Sequence, residues 1–109
     1  MVAWQVAFEL ARQIYLETEQ FPKEEIFGLR SQMRRAAVSI ASNLAEGAGR
    51  TTKKDFAQFV TIARGSLNEL ETQYLLAKEI GYLESSDTVD AQIERLFGLL
   101  NGLRNSLNA

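Results

Sequence analysis

Apolar residues recur every three or four positions in four separate stretches of this chain, the spacing of helices that each bury one side. In the first stretch Trp4, Ala7 and Phe8, Ala11, and Ile14 and Tyr15 mark a helix running to Thr18. Phe21-Pro22 breaks it, and Pro22 suits the first turn of the next helix, where its missing N–H costs nothing. The second helix is predicted from about Lys23 to Glu46, with Ile26, Leu29, Met33, Ala37, Ile40 and Leu44 as its core stripe and Glu24 and Glu25 at its positive end. Gly47 and Gly49 supply left-handed residues to end it. Thr52 and Asp55 have the spacing of a capping box, so a third helix begins there and carries Phe56, Phe59, Val60, Ala63, Leu67, Leu70, Tyr74 and Ala77 as far as Gly81. Ser86 or Asp87 caps a fourth helix with Val89, Ile93, Leu96, Leu100, Leu103 and Leu107 on one side.

No stretch alternates as a strand does. Four amphipathic helices with short connections bury their stripes by folding up and down against one another. The prediction is an all-α, antiparallel up-down four-helix bundle. Residues 1–109 form a single domain, because 109 residues cannot build two cores.

Two helices carry more apolar surface than one bundle uses. On a helical wheel the second has a strip of Phe27, Val38, Ala41 and Ala45 beside its core stripe, with Arg34 among them. The third has Ile62, Leu76 and Ile80 off its main stripe, with Glu69 in line. The fourth carries Ala91, Gly98 and Gly102 opposite its core face. The surplus predicts self-association through Phe27, Arg34, Val38, Ala41, Ala45, Ile62, Glu69 and Leu76, with Arg34 and Glu69 paired across helices or subunits. The alternative is a wide core face with scattered exposed apolar residues.

Charge adds an asymmetry that the net value of −2 conceals. Residues 30–64 hold seven basic residues against Glu46 and Asp55, while the rest of the chain holds five basic and twelve acidic. Either the two zones neutralise one another, or the basic middle meets a phosphate backbone. In the second case Arg30, Arg35, Arg50, Lys53, Lys54 and Arg64 are the candidate contacts. The Gly49–Lys54 turn lacks P-loop spacing and reads first as a capped turn, second as a phosphate contact. Phe56 and Phe59 belong to the core stripe, so base stacking is not expected and binding would follow shape and salt.

The chain has no cysteine and no histidine. That removes the thiolate nucleophile, the disulfide and the usual near-neutral acid–base group. The Glu-x-x-His element of di-metal bundles is absent, and Glu69 and Glu71 point about 200° apart on a helix. No enzyme, metal or cofactor is therefore expected. No run is long enough to span a membrane, and Glu9 and Arg12 interrupt any signal-like segment, so the expected location is the cytoplasm.

Several segments together resemble a known family. They are Phe21-Pro22-x-Glu24-Glu25, Ser31-Gln32-Met33-Arg34-Arg35-Ala36-Ala37-x-Ser39-Ile40, Asn43-Leu44-Ala45-Glu46-Gly47 and Gly65-Ser66-Leu67-x-Glu69-Leu70-Glu71-Thr72, joined by Trp4-Gln5 and Lys78-x-x-Gly81-Tyr82-Leu83. In this order, over nearly the whole chain, they resemble the bacterial four-helix-bundle proteins encoded within 23S ribosomal RNA intervening sequences. The resemblance implies an antiparallel bundle, assembly into a homopentameric ring, and a role with RNA inferred from the family's genomic location. A similar fold occurs in the accessory variability determinant of diversity-generating retroelements, a strongly basic ring that serves a reverse transcriptase. This chain departs from that pattern in its acidic ends and a pI of about 5.2.

Two functional readings follow. One is a non-enzymatic homo-oligomer that binds RNA or another nucleic acid through the 30–64 zone. The other is a protein-interaction scaffold or adaptor, such as a retroelement accessory-like protein.

Overall fold

Leucine, isoleucine and alanine at helical spacing build four helices: α1 (Val2–Glu17), α2 (Leu29–Ala48), α3 (Lys53–Glu79) and α4 (Asp87–Leu107). The computed structural model describes residues 1–109. Each helix packs on its neighbours in sequence, α1 closes the ring against α4, and the backbones of the diagonal pairs stay apart across the core. Three polar links fix the directions. Arg34 near the start of α2 reaches Thr18 at the end of α1, Ser39 meets Ser66, and Arg64 meets Asn101. The helices thus run alternately up and down, in a molecule whose principal extents are 44 × 25 × 18 Å.

The core is one continuous cluster. Leu10, Ile14, Met33, Ile40, Leu44, Val60, Leu67, Leu70, Val89, Leu96 and Leu100 are fully buried, and Tyr74 nearly so. The sequence-predicted stripes of α3 and α4, and that of α2 from Leu29 onward, are the faces that meet there. Phe56, Phe59, Leu103 and Leu107 are half-buried at its margin. Thr52 caps α3 by accepting from the Asp55 N–H at 3.1 Å, and Ser86 caps α4 by accepting from the Val89 N–H at 3.2 Å.

Three expectations need correction. The first concerns the register of α1. Ala3, Val6, Ala7, Leu10 and Ile14 face the core, whereas Trp4, Phe8 and Tyr15 are exposed. The two stripes are one residue, or about 100°, apart on the helix. Both are apolar, so periodicity alone does not separate them. Packing does: the small side chains of Ala3 and Ala7 are turned inward and buried, and the bulky Trp4 and Phe8 rings stay at the surface.

The second concerns the entry to α2. Lys23–Glu25 form a single 3₁₀ turn, and the α-helix starts only at Leu29. Gly28 breaks the path at φ −108°, ψ −122°. The Glu25 carboxylate folds back to accept from the Leu29 N–H at 2.9 Å, capping the helix from four residues away. A Cβ at Gly28 would collide with that carboxylate. Ile26 consequently lies outside the core, and Phe27 is 96% exposed.

The third concerns the glycines after α2. Gly49 has φ −84°, and the one left-handed residue of the chain is Gly81 at φ 84°. Gly47 is instead buried inside α2, where an added Cβ would lie 2.7 Å from Phe59 Cβ and 2.9 Å from Phe56 Cδ1. It sets the close approach of α2 to α3.

Candidate nucleic-acid interface and assembly surfaces

Arg34 is the most constrained basic residue. Its Nε donates to Thr18 Oγ1 at 2.9 Å, and its Nη2 donates to the Tyr15 carbonyl and to Glu19 Oε2, both at 3.1 Å. Its guanidinium lies 4.4 Å from the centre of the Tyr15 ring. The side chain thus satisfies the carbonyl end of α1, where a cation is favoured. Arg34 does not pair with Glu69 within the subunit; Glu69 faces Gln73 instead.

The other basic residues divide by height along the bundle. Arg30 stands at the start of α2, 3.5 Å from Glu19. Arg50, Lys53 and Lys54 cluster at the α2–α3 turn, about 30 Å away by helical rise. Arg64 is held at mid-height, donating to Asn101 Oδ1 at 2.8 Å with the Phe97 ring beside it. Arg35 is exposed and makes no ion pair. The zone contiguous in sequence is therefore not one surface. Only Arg50, Lys53 and Lys54 come together, and Arg50 is partly engaged by Glu46 at 2.8 Å and by the Phe59 ring.

Up-down topology sorts charge between the two ends. The α1–α2 and α3–α4 connections share one end, which collects Glu17, Glu19, Glu24, Glu25, Glu79, Glu84, Asp87 and Asp90 against Lys23, Arg30, Arg34 and Lys78. The α2–α3 turn shares the other end with both termini, and Arg50, Lys53, Lys54 and Arg104 there face Glu46 and Asp55. The N-terminus of α3 adds its positive dipole end to the second group. One end of the bundle is acidic and the other basic.

At the acidic end a carboxylate–phenol contact joins two connections. Tyr82 donates to Glu25 Oε2 at 2.8 Å, and its ring packs on Phe21 with centroids 5.4 Å apart. The Leu29 N–H first, and Tyr82 second, hold the Glu25 carboxyl below its ordinary range; the same carboxylate pushes the Tyr82 phenol up. Burial pushes the Tyr74 phenol up as well, and its oxygen accepts from the Ser86 N–H at 2.8 Å.

The surplus apolar surface forms two separate features. Val38, Ala41 and Ala45 line a groove of roughly 430 Å³ whose other wall is Trp4, Phe8, Ala11 and Tyr15 of α1. Periodicity alone does not reveal the α1 wall, because its aromatics form an apolar stripe one position from the buried one. The other feature is a ridge on α3. Ile62, Glu69, Leu76 and Ile80 fall within an arc of about 40°, on the shoulder of α3 just outside Ser66. Ile62, Leu76 and Ile80 are each about half exposed. Phe27 belongs to neither feature, since it projects from the turn before α2.

No three His, Cys, Asp or Glu side chains converge to hold a metal ion, and no helix is long and apolar enough to cross a membrane. The fold and its surfaces define a class: an up-down four-helix bundle with polarised ends and an unpartnered apolar flank. Residues 1–102 match the family described as 23S rRNA-intervening sequence protein, and the chain belongs to that family. Among solved structures, one that is similar is a protein of unknown function from the S23 ribosomal protein family of Bacteroides thetaiotaomicron. It is 22% identical, the match covers 96% of this chain and 94% of that one, and the TM-score is 0.68. No curated protein matches the chain.

Proposed function

We propose that this protein is a non-enzymatic homo-oligomer, a pentameric ring by family resemblance, that binds structured RNA through the basic ends of its bundles. The observation that carries the reading is the clustering of Arg50, Lys53 and Lys54 at the positive end of α3, opposite an acidic end. Three cations on one subunit make a weak site. Repeated around an assembly, the same contacts gain through effective concentration. Arg30 and Arg64 contribute little, because Glu19 and Asn101 already occupy them. The family's link to 23S rRNA supports RNA as the ligand.

Affinity for a structured RNA, measured from low to high salt, tests this. Binding at about 50 mM salt that falls steeply as salt rises is the expected outcome, and no binding at that concentration rejects the reading. A second reading is favoured by the acidic end, which suits a basic protein partner such as a reverse transcriptase. Co-purification of one such partner after nuclease treatment, with no RNA bound, would decide for it.

A further inference from the structure

Two apolar features remain uncovered on this molecule, and they differ in shape. The groove between α1 and α2 is concave, walled by Trp4, Phe8, Tyr15, Val38 and Ala45. The α3 feature is a single helix shoulder with Ile62, Leu76 and Ile80 each about half exposed, its Ile62 end bordering a shallow depression beside Asn108. They lie on opposite flanks of α2: the groove on its α1 side, the ridge beyond its α3 side, past the Ser39–Ser66 contact.

Their charges are also complementary. Arg12 borders the groove on α1, where its Nε also meets Glu9 Oε2 at 3.2 Å in an exposed pair that a neighbour's carboxylate can share. Ser42 lines the groove on α2, and Arg35, two turns earlier on the same row to within about 20°, extends that opposite rim. The ridge carries an acid at its middle, Glu69, seven residues from both Ile62 and Leu76. Apolar–acidic–apolar along the ridge meets an apolar floor with arginines at its rims.

The geometry points to a head-to-tail contact in which the α1–α2 groove of one copy receives the α3 ridge of the next, with Glu69 set between Arg12 and Arg35. This rests on the oligomeric reading above and deepens it by naming both surfaces. A groove and a ridge on different flanks do not make a self-complementary patch. When each copy offers its groove to one neighbour and its ridge to another, the contact is head-to-tail, and it forms a ring where the rotation between copies closes. Cyclic repetition also turns every basic end toward the same side of the ring. Gly65 fits the same account. It lies inside α3 among the ridge residues, its Cβ position is open within the subunit, and a neighbouring backbone can come close there.

The absence of native cysteine makes the test direct. Val38→Cys places a thiol in the groove; Ile62→Cys and Leu76→Cys place one at either part of the ridge. Each variant is prepared alone and as an equal mixture with the groove variant, then treated with a short bis-maleimide. Covalent dimers are expected in at least one mixture and in none of the single variants. Dimers of Val38→Cys alone, or no linkage in either mixture, overturn the interface. Light scattering on the unmodified protein separates the two levels. A monomer rejects the oligomeric reading together with the interface, whereas an assembled protein without mixed cross-links rejects the interface alone. Glu69→Arg gives a second readout: the assembled mass falls, and mixing it with a protein carrying Arg12→Glu and Arg35→Glu restores joint particles. Unchanged mass in Glu69→Arg counts against the contact.

Discussion

Glycines that look alike in sequence occupy opposite situations here. Gly47 is filled in by Phe56 and Phe59, so Gly47→Ala forces α2 and α3 apart and is expected to cost about 1–3 kcal/mol. Gly98 lies in the interior of α4 with open space around it, and Gly98→Ala is expected to stabilise by about 0.5–1 kcal/mol. Urea unfolding of the two variants at one protein concentration checks the opposite signs. Gln73 is a third residue with a defined expectation. Its Oε1 is buried without a partner, so Gln73→Leu is expected to raise stability by about 1 kcal/mol, read from the same urea midpoints. None of these three signs is legible in the sequence, since each depends on what an adjoining helix places next to the residue.

At the scale of elements, α3 and α4 are readable throughout, because each has one continuous core stripe, distinct from the outer Ile62–Ile80 strip on α3, and a Thr52 or Ser86 cap to set its start. In α1 two apolar stripes compete, and the choice between them belongs to packing rather than periodicity. The start of α2 lies later than its sequence suggests because the Glu25 carboxylate, a side chain that favours the first turn of a helix, serves here as a cap from outside it. That cap and the Tyr82 contact have a pH consequence. A carboxyl held below its ordinary range contributes stability that is present above that range and is lost as pH falls through the folded-state value. The raised Tyr82 phenol adds stability present below its ordinary value and lost as pH rises through the folded one. Glu25→Gln is therefore expected to lower the urea midpoint at neutral pH and to flatten its decline into acid. A variant with an unchanged acid limb would assign that limb to other carboxylates.

For the whole molecule, the basic zone was legible as a list of residues but not as a surface. Arg30 and Arg34 are drawn to Glu19 at one end, while Arg50, Lys53 and Lys54 collect at the other, because the 20 residues of α2 carry its two ends to opposite ends of the bundle. The contacts proposed here are therefore the three that share one end, Arg50, Lys53 and Lys54. The Lys53→Ala, Lys54→Ala double variant is expected to reduce the slope of log affinity against log salt by about 2 per bound copy. Arg30→Ala is expected to leave that slope unchanged. Filter binding across a salt series distinguishes them, and equal effects would restore the larger zone.

An even number of alternating helices has a practical corollary. Met1 and Ala109 emerge beside the α2–α3 turn, at the end proposed to touch RNA. An affinity tag or fused reporter on either terminus would crowd that surface, while an insertion at Glu84-Ser85, in the opposite connection, would leave it clear. A protein purified by a terminal tag is thus expected to bind RNA less well than the same protein after the tag is cleaved.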